Sequence, residues 1–372
     1  MSRRQAFIDT CNHKKPSKII TDLGGCPLSG LSKEAEIPLK RLFGFEGEER
    51  SNPYTVDERI LKHFNIDTRG VGNILRPSDS LYKDIDENTR IDEWGIKSIY
   101  TGVYWENVGF PLKGATLKDL DNYKFPDPMS VSMEDIREIK KEAKYLYENT
   151  DYVICGSHPV YGIFELGCWM CGFDDFLMKM ALEPEFIHRF FEIVLDYQLK
   201  VSELYYSEIG EYIHYTSSGD DFATQASTFM SVGMFDEFIK PYLAERIKKT
   251  KSFTNAKFLH HSCGSVSPFI PSLLEAGVDI LNPIQPVTEL MEPKNLKAAY
   301  GDKIVFHGGL DTQALLPNGT KEEIEAETFR LADAMNQDGG YIFAAAHNIQ
   351  GDVPPENIIA VFEAINKYNN SL

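Results

Sequence analysis

Several things are scarce in this chain of 372 residues. It holds only six cysteines, Cys11, Cys26, Cys155, Cys168, Cys171 and Cys263, too few and too irregularly spaced for a disulfide framework, so reduced thiols are expected. Basic residues are in deficit, 38 Lys and Arg against 56 Asp and Glu, for a formal charge of −18. That balance argues against nonspecific binding to nucleic acid or to an anionic membrane. No apolar run approaches the ~18 residues of a membrane span, and the first residues lack the apolar core of a signal peptide. The expectation is a cytoplasmic protein without nucleic-acid or membrane partners. Low-complexity linkers are missing too, so residues 1–372 read as a single domain.

What the chain does have is an alternation of strand-like and helix-like segments. Strand-like apolar runs fall at 18–22, 64–69, 152–155, 212–216, 257–261, 279–282, 303–307 and 341–346. Helical periodicity separates most of them, at 132–147, 183–207, 234–252, 266–276, 293–300, 321–336 and 355–368. Ser132 stands where an N-cap belongs, with Glu134 and Asp135 in the first turn. Eight such units predict an α/β fold, a parallel (β/α)8 TIM barrel, for which a core of about 250 residues is typical. The residues from Arg3 read as an N-terminal helical extension. Residues 24–130 contain excursions over the barrel: helical around Gly44, Gly47 and Pro53, and a surface hairpin in the aromatic, alternating stretch 82–112.

The stretch Lys257-Phe-Leu-His-His-Ser-Cys-Gly264 organises the rest. It ends an apolar strand with His261 and Cys263 two residues apart, which puts both on one face of extended chain. Imidazole and thiolate form a borderline-soft donor pair suited to zinc. A His-x-Cys pair alone more often belongs to ordinary structure, a buried Cys packing as a small hydrophobe. The best third ligand is His347, which closes the apolar run Tyr341-Ile-Phe-Ala-Ala-Ala-His347. Only a fold that gathers strand ends can unite it with His261. The pair Cys168-Trp-Met-Cys171 has no second such pair to join it, and reads as core or pocket lining ahead of a redox or zinc motif.

In a barrel of this kind functional groups gather at the carboxyl ends of the strands. Those ends supply a polar ring running from Asp22 through Ser157, His158, Asp220, Asp221, Asn282, Gln285 and His307 to His347. Asp220 and Asp221 lie in Ser218-Gly-Asp-Asp-Phe-Ala-Thr-Gln225. One could orient substrate or accept a proton while the other caps a helix or bonds a metal-bound His. Their order alone does not say which. Glu165, among apolar neighbours, is a further candidate, as a fourth ligand or a partner of one. Asp220, Asp221 and Glu165 are thus the expected catalytic groups, and Tyr161, Trp169, Met170, Gln225 and His307 the expected substrate contacts. Phe306-His-Gly-Gly-Leu-Asp311 lacks the Lys-Ser/Thr of a P-loop, so its glycines read as close backbone approach at the barrel mouth.

Six stretches carry a resemblance: Arg4-Gln-Ala-Phe-Ile-Asp9, Gly219-Asp-Asp-Phe-Ala-Thr-Gln225, His261-Ser-Cys-Gly264, Glu275-Ala-Gly-Val-Asp-Ile-Leu-Asn-Pro-Ile-Gln285, Phe306-His-Gly-Gly-Leu-Asp311 and Ala346-His-Asn-Ile-Gln-Gly-Asp-Val-Pro-Pro-Glu-Asn357. Through them the chain resembles the uroporphyrinogen decarboxylase superfamily and, within it, the corrinoid-dependent methyltransferases. The resemblance implies a (β/α)8 barrel with its site at the carboxyl mouth. Decarboxylases of the superfamily hold tetrapyrrole carboxylates with an amino-terminal Gly-Arg-Tyr segment. Here the first strand runs instead into Thr21-Asp-Leu-Gly-Gly-Cys-Pro27, which counts against porphyrinogen decarboxylation. The methyltransferase branch typically binds zinc through His-x-Cys and a later Cys, and His347 stands in place of that Cys.

One thiolate and two imidazoles leave zinc with a net positive charge, whereas two thiolates would neutralise it. The more positive ion is the better Lewis acid toward an ether oxygen or phenolate. The leading expectation is therefore methyl transfer from a small methylated donor, such as an aryl methyl ether, to the cobalt of a corrinoid. The chain has no Asp-x-His-x-x-Gly cobalamin signature, so that corrinoid arrives on a separate corrinoid-binding protein. The alternatives are a methylcorrinoid:thiol methyltransferase of the coenzyme M type, a decarboxylase-like enzyme, and a non-catalytic barrel that binds without reacting.

Overall fold

The computed structural model describes residues 2–49, 55–78, 81–102 and 105–372; Pro53 and positions 103–104 of the expected hairpin lie outside them. The strands, in chain order, are β1 (Ile20–Thr21), β2 (Thr68–Val71), β3 (Lys83–Asp86), β4 (Thr89–Ile91), β5 (Lys97–Tyr100), β6 (Trp105–Gly109), β7 (Val153–Ser157), β8 (Tyr215–Gly219), β9 (Lys257–His261), β10 (Ile280–Asn282), β11 (Val305–His307) and β12 (Tyr341–Phe343). Eight make one parallel sheet in the order β1-β12-β11-β10-β9-β8-β7-β2. This is the expected barrel, with helices between its strands, and each expected strand finds a counterpart. Two are displaced. The run at 64–69 gives β2 only from Thr68, because Phe64 ends the helix Glu58–His63 and Asn65 turns at φ 57°. The run at 212–216 gives β8 from Tyr215 onward, where pairing with β9 starts at Tyr215 opposite Lys257.

Two-residue alternation sorts the side chains. Ile20, Val153, Tyr215, Leu259, Ile280, Val305 and Ile342, one from each of seven strands, share a single buried cluster, which is the inside of the barrel. Their neighbours Phe258, Leu281, Phe306 and Phe343 belong to the larger cluster beneath the helices. Ala6, Phe7 and Cys11 of the helix Arg3–Cys11 join the inner cluster, and the Phe7 ring meets Tyr215 at 5.6 Å. The lower barrel is therefore packed solid, which leaves the carboxyl mouth as the place where a ligand can enter.

Strands β1 and β2 share no ladder, and Asp67 spans the gap. Its backbone N–H donates to Thr21 O at 3.1 Å, and its carboxylate accepts from the N–H and Oγ1 of Thr21 at 3.0 and 3.1 Å. Arg3 and Lys18 neutralise that buried carboxylate at 2.9 and 2.6 Å. The barrel is nearly closed there by one backbone hydrogen bond reinforced by a buried side chain.

The excursion at 82–112 is a four-stranded antiparallel sheet, β3-β4-β5-β6, anchored by Trp94, whose ring packs edge-on against Tyr197 at 4.9 Å. No helix among the described residues is long and apolar enough to cross a membrane. All six cysteines are free thiols.

Asp92 tests how this sheet is docked. Its Oδ1 accepts the N–H groups of Trp94 and Ile96 at 2.9 and 2.8 Å. Burial, aided by Glu93, still pushes its carboxyl up to about 6. A folded pKa above the unfolded value gives stability that is complete below the unfolded pKa of about 4 and is lost as pH rises through the folded one. Asp92→Asn keeps the accepting oxygen and removes the charge. It should stabilise the protein by about 1–2 kcal/mol at neutral pH and by little below about pH 4, as read by urea unfolding at both pH values.

Candidate functional site

The site is built on the end of β9. Leu259 points into the barrel, and His261, two residues on, points the same way one layer higher, while His260 turns outward to stack on Phe222 at 5.4 Å. Gly264 then takes φ 88°, and a Cβ there would lie 2.5 Å from the carbonyl oxygen of Thr224. Only glycine allows the chain to turn so closely after Cys263. His347 arrives from beyond β12. The donor atoms of His261, Cys263 and His347 all lie within 4.8 Å of one another, with Cys263 Sγ 3.3 Å from His261 Nε2 and the two rings 5.7 Å apart. Side chains distant in sequence thus converge as expected.

The electrostatics suit a cation. Burial, then the neighbouring His261, lowers His347 to about 4, and burial holds His261 below its ordinary value as well. Both are neutral imidazoles with lone pairs to offer at pH 7. Burial pushes the Cys263 thiol up to about 12, and the neighbouring acidic side chains of Asp221 and then Glu165 push the same way. Two imidazoles, a thiol and nearby carboxylates make a place where negative charge is discouraged and a divalent ion would be welcomed; zinc matches this donor set.

A cavity of about 360 Å³ opens beside the triad. His261, His347, Asp221 and Glu165 line it together with Tyr161 and Trp169, and Leu28, Ile74 and Val160 add apolar surface. Tyr161 and Trp169 meet edge to face at 5.5 Å. Ser157, Ser217 and Ser218, at the ends of β7 and β8, complete the floor. Asp221 accepts the N–H of Cys263 at 2.7 Å and approaches His261 Nε2 at 3.7 Å, so it steadies the turn that carries the thiol. Burial, followed by Asp220 and Asp221, raises the carboxyl of Glu165 well above the carboxylate range.

Four expected residues are not among those that line the cavity, and one of them, Asp220, takes the helix-capping role foreseen for one member of its pair. Asp220 is fully buried and accepts the N–H groups of Phe164 and Glu165 at 2.9 and 2.7 Å. It caps the helix Ile163–Cys171 and so aims Glu165, and burial raises it to about 7. His307 is fully buried with both ring nitrogens engaged, Nδ1 with Asn282 at 2.7 Å and Nε2 with Asp22 at 2.8 Å, which leaves nothing to offer a substrate. Met170 is fully buried within the apolar core. Gln225 is exposed and bonds Gln313 at 2.8 Å. Gln313 lines a smaller cavity of about 90 Å³ on the far side of Cys263 and His347. Cys168 and Cys171 are buried thiols on the helix behind Trp169, in line with a structural role.

Sequence reasoning missed Arg246. It is fully buried and donates to Ser218 Oγ at 3.3 Å and to the carbonyl of Tyr161 at 3.4 Å, from behind the cavity. A signal existed: Leu243, Arg246, Ile247 and Thr250 share helical spacing and one buried face.

Comparison with known proteins adds to this geometry. The family described as Uroporphyrinogen decarboxylase (URO-D) matches residues 108–368. A uroporphyrinogen decarboxylase from Psychromonas ingrahamii is 24% identical over 273 residues, 67% of this chain and 68% of that protein. One from Pseudoalteromonas atlantica is 35% identical over 75 residues, so there the match spans 20% of this chain and 21% of the relative's length. Among solved structures, a methyltransferase from Methanosarcina mazei has the same fold, with a TM-score of 0.68 at 15% identity over 99% of both chains.

The triad predicts one tight zinc site. Protein dialysed against chelator and reloaded should take up one equivalent of zinc, and Cys263→Ala or His347→Ala should weaken binding by at least ~100-fold while leaving the fold intact. Chelator competition with circular dichroism checks both halves.

Proposed function

The chain belongs to the uroporphyrinogen decarboxylase family, and from that premise we propose that it is a cytoplasmic zinc-dependent methyltransferase. It would move a methyl group from a small methylated donor, of the aryl methyl ether type, to the cobalt of a corrinoid carried on a separate protein. The observation that carries this reading is the convergence of His261, Cys263 and His347 at the edge of a cavity that His261 and His347 line together with Tyr161, Trp169, Leu28, Ile74 and Val160.

His261, Cys263 and His347 would hold zinc, which would supply Lewis acidity toward the oxygen that the methyl leaves. The chain's own side chains do the rest. Tyr161 and Trp169 bound a slot for a single ring, and Leu28, Ile74 and Val160 keep water from it. Glu165, held neutral by burial and by its carboxylate neighbours, can share a proton with the departing oxygen, which keeps the electron pair of the broken C–O bond. Asp220 fixes the helix turn from which Glu165 projects. A methyl carbon held in that slot would lie at the barrel mouth, the end from which a corrinoid carried on a partner protein could reach it.

The curated relatives are decarboxylases, so decarboxylation is the second reading. Against it, no Lys or Arg is among the described residues that line the cavity beside the triad, whereas Asp221 is; Arg76 and Arg90 line an adjoining cavity that shares Asn73, Ile74 and Tyr161 with it. A polycarboxylate tetrapyrrole needs cationic groups around the reacting ring, and the cavity beside the triad, about 360 Å³, has the size of a single ring.

The test is direct. Zinc-loaded protein with a Co(I) corrinoid protein and a panel of methoxyaromatics should yield methylcobalt absorbance and a free phenol, and His347→Ala should slow this by ~100-fold or more. Transfer to a thiol but never from an ether would move the protein to the thiol branch. Carbon dioxide release from a porphyrinogen without methyl transfer would overturn the proposal.

A further inference from the structure

We infer that Asp22, His307 and Asn282 form a buried positioning chain that fixes His261 in the tautomer whose Nε2 lone pair faces Cys263 and His347. The inference rests on the metal reading above, and it assigns roles to three side chains that lie outside the triad.

The alternation that fills the barrel also builds the chain. Ile20, Val305, Ile280 and Leu259 point inward in one layer. Two residues further along each strand direction come Asp22, His307, Asn282 and His261, an upper layer of polar groups on an apolar one, each nearly or fully buried. They connect in sequence: Asp22 to His307 Nε2 at 2.8 Å, His307 Nδ1 to the Asn282 amide nitrogen at 2.7 Å, and Asn282 Oδ1 to His261 Nδ1.

Each link fixes the polarity of the next. Asp22 accepts from the N–H of Gly25 at 2.8 Å, from Ser29 Oγ at 2.6 Å and from Thr68 Oγ1, so it is a carboxylate, an acceptor only. His307 must donate to it through Nε2. The amide nitrogen of Asn282 faces His307 Nδ1 at 2.7 Å, and two donors cannot share a bond, so Nδ1 is the acceptor there. The amide oxygen is thereby turned toward His261, whose Nδ1 must be the donor and whose Nε2 must be bare. Were the amide of Asn282 turned over, its nitrogen would face His261 Nδ1 and the proton of His261 would sit on Nε2, where it would block a metal. The neighbouring His260 lies outside this chain, its Nδ1 meeting Ser218 Oγ at 3.1 Å and its Nε2 unpaired.

Because the polarity exists without metal, it can be read in the metal-free protein. Long-range proton–nitrogen correlation spectra of 15N-labelled protein should find His261 protonated on Nδ1 and His307 on Nε2. Asn282→Ala should let His261 populate both tautomers and weaken zinc binding by about 10–100-fold, with circular dichroism unchanged. Asn282→Asp, which restores an acceptor to His261, should recover most of that affinity. A wild-type His261 protonated on Nε2, or an Asn282→Ala protein that binds zinc as tightly as wild type, would overturn the chain while leaving the metal reading intact. Wild-type protein that takes up no zinc would overturn the metal reading instead, and the tautomer spectrum, which also decides the case if Asn282→Ala fails to fold, would still judge the chain.

Discussion

Alternation along eight short parallel strands is the constraint on which the structure depends. It sends Leu259 into a solid apolar interior and brings His261 up one layer above it, so the same period that packs the barrel also aims the ligand. The helix Arg3–Cys11 supplies Phe7 to close the amino-terminal end. With that end filled, polar chemistry is confined to the upper layer and the loops that follow it. Asp67 shows how much is done to keep the ring together: where β1 and β2 fail to pair, one buried carboxylate with two cationic partners stands in for a ladder.

The mouth so formed holds an excess of acid over base. Asp220, Asp221 and Glu165 cluster beside a thiol, and burial makes every added negative charge costly there. Arg246 answers part of that charge from behind. A divalent ion on the triad would answer more of it, and would turn a reluctant thiol into a thiolate. On this account the carboxylates and the metal site depend on one another: the acids favour the ion, and the ion tempers the acids.

Much of this was legible in the residues. The eight strands and their helices follow from apolar periodicity, and His261, Cys263 and His347 were visible because each closes or follows an apolar run that a barrel must bring to one rim. What the sequence hid was orientation. Asp220 and Asp221 are adjacent and chemically alike, yet one is a buried helix cap and the other lines the cavity, a difference set by the turn after β8 rather than by composition. His307 looked like a substrate contact because it ends a strand; only the register of β10 against β11, Leu281 opposite Phe306, brings it beside Asn282 and takes both its nitrogens. Extending β8 to Gly219 brought Ser217 and Ser218 into the mouth, beyond the predicted end of that run.

The central claim is that one cation is held jointly by a thiolate and two imidazoles. X-ray absorption at the zinc edge of reloaded protein measures this most directly. The account predicts one sulfur near ~2.3 Å and two histidine nitrogens near ~2.0 Å in the coordination sphere. A sphere of oxygen and nitrogen alone, with no sulfur, would contradict it.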